Sequence, residues 1–178
     1  MKRAIAVALF FLAVSASAVL TQEAQKHAAA KPVTVDIINA EGYSVGNAVL
    51  SESAHGVKIT LNIKNMPPGP HLMHIHEFPK CDPPYFKSAG AHFNPNGGSH
   101  DGHGPTGVPA GDIPNFVLNV ATDGTAHTST IAPYVTLGTE SNSVFANGGT
   151  ALVFHAVAGH VSASAPPRIA CGVIARPE

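Results

Sequence analysis

Residues 57–64 alternate without interruption: Val57, Ile59, Leu61 and Ile63 are apolar, while Lys58, Thr60, Asn62 and Lys64 are polar. A period of two sends one set to a buried face and the other to water, the pattern of a half-buried β-strand. Short β-branched runs of the same kind recur as VTVDIIN from Val33, NAVLSES from Asn47 and HLMHIHE from His71. They continue as NFVLNV at 115–120, GTAHTSTI at 124–131, YVTL at 134–137, ALVFHAV at 151–157 and CGVIA at 171–175. Pro67-Pro68-Gly69-Pro70 is a hard turn, and Asp123-Gly124 predicts a hairpin. With 17 glycines, 15 prolines and no helical periodicity after residue 18, the chain reads as all-β, a sandwich or barrel. An apolar fraction of 44% excludes disorder. A formal charge of −1 and a pI near 6.8 exclude a nucleic-acid binder that works through bulk basic charge.

The start of the chain has a different character. Met1-Lys2-Arg3 is basic, Ala4 to Val14 is an apolar run of eleven residues, and Ala16-Ser17-Ala18 supplies small residues at a cleavage position. Residues 1–18 therefore read as a secretory signal peptide, too short in its apolar part to span a membrane. Residues 19–32 read as a polar, Ala-rich mobile leader, and 33–178 as the folded domain. Cleavage removes Lys2 and Arg3, moving the formal charge from −1 to −3 and leaving no membrane anchor. In the oxidising periplasm or outside the cell, Cys81 and Cys171 are most simply one disulfide, although two free thiols remain the alternative.

Eleven histidines outnumber the ten lysines plus arginines. His74-Ile75-His76 lies on an expected strand, so period two places both imidazoles on one face, a natural start for a copper or zinc site. His71 is odd-spaced from both and is expected to face away as a structural hydrogen-bonding residue. His92, His100, His103 and Asp112 fall in residues 79–114, a long stretch dense in Gly, Pro, Asn, His and Asp with almost no periodicity. His155 interrupts the apolar strand ALVFHAV.

These segments carry a family resemblance. GPHLMHIHEFPKC, KSAGAHFNP and PRIACGVIA resemble, in that order, the signature segments of secreted bacterial copper/zinc superoxide dismutases, within a similarity running from Val33 to Ala175. The resemblance implies an eight-stranded Greek-key β-barrel or sandwich with two long functional loops. It implies His74, His76, His92 and His155 as copper ligands, with His92 also bridging to zinc and serving as proton donor. It further implies His100 and Asp112 as zinc ligands, a Cys81–Cys171 disulfide, and Arg168 holding the substrate, superoxide, beside the copper.

Two departures follow. The family's third zinc histidine stands three residues before the aspartate, where this chain has Pro109. His103 is the candidate substitute, and a site using it stands beside a site without zinc. Residues 156–167 (AVAGHVSASAPP) lack the carboxylate that in the family joins a copper histidine to a zinc histidine. An alternative function is an exported copper-binding or buffering protein with little turnover. A cupin-type site would need a Glu several residues after His76, whereas Glu77 follows at once and points to the opposite face. A blue-copper site would need His and Met just beyond a Cys, which Cys171 lacks.

Overall fold

The computed structural model describes residues 31–99, 107–156 and 166–177. The residues expected to form a signal peptide, and all but the last two of the expected leader, lie outside the described residues, as do His100, His103 and His160. Eight strands form among the described residues: β1 Val33–Asn39, β2 Ser44–Ser53, β3 Gly56–Ile63, β4 Gly69–His76, β5 Leu118–Val120, β6 Ala126–Ala132, β7 Thr150–Ala156 and β8 Arg168–Ile174. All neighbours are antiparallel, in the order β5-β4-β7-β8-β1-β2-β3-β6. The β5–β6 turn joins the two ends of this sheet, so it curls into a nearly closed Greek-key barrel.

The alternation on β3 does what its pattern requires. Val57, Ile59, Leu61 and Ile63 are buried, whereas Lys58 and Asn62 are exposed. Val35, Ile37, Leu50, Met73, Ile75, Leu118, Leu152 and Phe154 join the same interior. β7 is buried on both faces. Leu152 and Phe154 point into the barrel, while Ala151 and Val153 pack outside it against Phe86, Ala89 and Cys171. This second cluster lies beneath the segment that follows β4, and it gives the barrel a covered outer face.

Three sequence expectations change. NFVLNV narrows to Leu118–Val120, the three residues that pair with β4, and Asn115 is left-handed with φ 58° rather than extended. YVTL forms no ladder, although Val135 and Leu137 are buried. Its backbone instead folds onto the following loop, where Thr136 N–H donates to Asn142 O and Val144 N–H to Thr136 O. Alternation there reports burial without a partner strand. The Asp123-Gly124 turn forms, with Gly124 N–H donating to Ala121 O, but it links opposite ends of the sheet rather than two laddered strands.

Cys81 and Cys171 are disulfide-bonded, tying the segment after β4 to β8 across 90 residues. On the chain-entropy account, closing so long a loop stabilises by about 4–5 kcal/mol. The double substitution Cys81→Ser with Cys171→Ser should therefore lower the unfolding free energy by several kcal/mol in denaturant titrations. An unchanged midpoint would show that the cross-link does not support the barrel.

Candidate metal centre

The register of β4 on β7 builds most of the site. His74 stands opposite Val153, His76 opposite Ala151, and Leu72 opposite His155, so all three histidines share the outer face. His71 lies on the inner face of β4, buried, with Nε2–H donating to Pro67 O at 2.7 Å. His92 reaches the group from the long segment, paired with His76 through a single antiparallel bridge. One ring nitrogen from each of His74, His76, His92 and His155 lies within 4.8 Å of the others. The His74 and His92 rings stack at 4.1 Å between centroids, and those of His76 and His155 at 5.5 Å.

The protons on two rings follow from their partners. His76 Nδ1 contacts Gly90 O at 3.0 Å, and His155 Nδ1 contacts Pro166 O at 3.2 Å. A carbonyl only accepts, so both Nδ1 atoms carry hydrogen and both Nε2 atoms carry lone pairs. Those two Nε2 atoms face each other at 3.3 Å. Two acceptors at that distance have no hydrogen bond to share; a cation between them resolves the contact. Donors about 2.0–2.1 Å from a small ion lie at most about 4 Å apart, close to the span seen here. The neutral imidazole set fits a copper ion.

Burial, the largest influence, pushes His76 down to about 3, and the positive field of Arg168 and His92 acts in the same direction. Burial likewise pushes His155 down to about 4, with help from His92 and Arg168. Both rings are therefore neutral, and competent as ligands, across ordinary pH.

Of the residues that the family resemblance implies for zinc, His92 and Asp112 are among those described. Asp112 Oδ1 accepts from His92 Nδ1 at 2.7 Å, which leaves Nε2 to carry the lone pair of that ring. A three-way set of backbone bonds places both residues: Phe93 N–H to Ile75 O (2.8 Å), Ile75 N–H to Gly111 O (2.9 Å) and Gly111 N–H to Phe93 O (2.8 Å). A Cβ on Gly111 would lie 2.1 Å from Ile75 O, so only glycine permits this approach. Pro109 is buried and its carbonyl accepts from Asp112 N–H at 3.1 Å, but its side chain has no donor atom. His100 and His103 lie outside the described residues.

Arg168 opens β8 opposite His155, and its guanidinium donates to Phe86 O at 2.7 Å and Gly90 O at 2.6 Å. Its charge is thereby fixed beside the four imidazoles. These two carbonyls were invisible in the sequence, because backbone acceptors leave no residue-type signal. Of the remaining described histidines, exposed His127 bonds Asn62 Oδ1, and His55 sits exposed in the β2–β3 turn.

Comparison with known proteins agrees with this geometry. The sequence profile of the family described as copper/zinc superoxide dismutase (SODC) matches residues 44–174. The chain is 43% identical over 164 residues to Cu-Zn superoxide dismutase 2 of Aquifex aeolicus, covering 89% of this chain and 91% of that one. Its fold matches a SOD-like protein from Bacillus subtilis with TM-score 0.69 and 30% identity, over 79% of this chain and 97% of that one. It also matches the Cu/Zn superoxide dismutase from Brucella abortus with TM-score 0.63 and 26% identity, over 81% and 99%. With four imidazoles gathered on the outer face of such a barrel, the chain belongs to the copper/zinc superoxide dismutase family.

Proposed function

We propose that this protein disproportionates superoxide to dioxygen and hydrogen peroxide at copper held by His74, His76, His92 and His155. The observation that carries the reading is the convergence of four ring nitrogens within 4.8 Å beside a fixed guanidinium. Copper bound there would supply the reversible one-electron chemistry that takes two superoxide ions and two protons to products.

The residues divide the remaining work. Arg168 has five N–H donors, and those not aimed at Phe86 O and Gly90 O are available to a small anion. His76 and His155 stay neutral because they are buried, so they hold metal rather than protons. His92 is less enclosed, at 21% side-chain exposure, and its Nδ1–H is held by Asp112. We assign proton delivery to His92 Nε2. Zinc, where bound, would use His92, His100 and Asp112, with His103 replacing the histidine that Pro109 displaces. The signal-like first eighteen residues and the disulfide support export to the periplasm or beyond. Among the described residues, no helix is long and apolar enough to cross a membrane.

Protein isolated from its native compartment should contain about one copper per chain, catalyse dismutation, and have the mass of a chain beginning at Val19. Copper without dismutation would favour the buffering alternative. One zinc per chain would sink the copper-only reading, and no zinc would support it. The substitution Arg168→Ala should lower kcat/KM by about 10- to 100-fold at low ionic strength while copper content holds. Equal rates would remove Arg168 from substrate binding.

The metal-free protein should also destabilise on acidification. Unfolded His76 and His155 take up protons near pH 6.5, whereas the folded rings resist until about 3 and 4. The unfolded state therefore binds more protons in this interval, so stability falls as pH drops below about 6.5 and is flat, for these groups, above it. Denaturation midpoints measured from pH 7.5 to 4 should show that decline; pH-independent midpoints would contradict the burial argument.

A further inference from the structure

Glu77 follows a copper ligand directly and takes no part in the mechanism above, yet it contacts the peptide group on which the site turns. The carbonyl of Gly90 and the N–H of Ala91 belong to one peptide unit. The oxygen end accepts from His76 Nδ1 at 3.0 Å and from Arg168 Nη2 at 2.6 Å. The N–H end donates to Glu77 Oε1 at 3.1 Å. Beside it, Glu77 N–H donates to Ala91 O at 3.0 Å and Phe78 N–H to Ala89 O at 3.1 Å, so the two segments are laced together.

We propose that Glu77 is a positioning residue for the copper site, acting on His76 and Arg168 through the Gly90–Ala91 peptide group. Metal-binding histidines commonly donate their second N–H to a carboxylate or carbonyl, which fixes the ring and raises its basicity. Here a carboxylate and a carbonyl act in series. Acceptance from the amide by Glu77 polarises the peptide, placing more negative charge on Gly90 O and strengthening both bonds it receives. Glycine at position 90 makes the contact possible. Its φ is +77°, and a Cβ there would lie 2.5 Å from Glu77 Oε1. The next residue but one is His92, so the same clamp orients a further member of the cluster.

The inference rests on the copper reading above, and its test has one arm that does not. In the metal-free full chain, Glu77→Ala should move the His76 Nδ1–H NMR resonance upfield and speed its exchange with water. In the copper-loaded chain, it should weaken copper retention against a chelator by about 10-fold or more and shift the Cu(II) EPR hyperfine splitting. Glu77→Gln keeps an acceptor oxygen without the charge and should give a smaller shift in each readout. If Glu77→Ala does not fold, the folded Gln variant decides alone. A wild-type His76 resonance in the folded variant overturns the proposal, even if its thermal stability has dropped. A changed resonance in a chain that takes up no copper would leave the relay standing and sink the copper reading instead.

Discussion

The site depends on the meeting of three main-chain segments at Ile75, Phe93 and Gly111. Each residue exchanges backbone hydrogen bonds with the other two, and each stands next to a residue of the centre: His76, His92 and Asp112. Ile75 and Phe93 are buried, so breaking any of these bonds would strand a peptide group away from water. The side chains inherit their geometry from this junction. A long connecting segment can thus place His92 and Asp112 with the precision expected of strands.

The two faces of β7 give the protein two interiors. The inner face belongs to the hydrocarbon core, and the outer face packs under the disulfide-anchored segment. That covering excludes water from His76 and His155 and keeps them neutral. Neutrality, with both Nδ1 atoms committed to carbonyls, turns the two Nε2 lone pairs toward each other. Burial here shapes chemistry as well as stability. The same covering supplies the carbonyls that hold Arg168, so the guanidinium and the imidazole cluster share a scaffold.

Much of the barrel was legible because side-chain parity is local. The apolar set of β3, the shared face of His74 and His76 and the opposite face of His71 all follow from counting by two. YVTL shows the limit of that argument: alternation reveals which residues are buried without naming what lies beside them. The family resemblance supplied His92, Asp112 and Arg168 as candidates, and the fold places each at the cluster or beside it. What the residues could not reveal is the role of Gly90 O, shared by His76 and Arg168, and of Glu77 behind it. Those contacts use main-chain atoms brought together over long separations, and every residue type has such atoms.

Position 109 carries a consequence of a different order. What the fold draws from it is its carbonyl, which accepts the amide of Asp112. Every amino acid supplies a carbonyl, so this hydrogen bond asks nothing of the side chain, although the side chain is buried and must fit its surroundings. Asp112 stays beside His92 with proline at this point. The backbone that holds Asp112 against His92 therefore stands without any ligand atom from position 109.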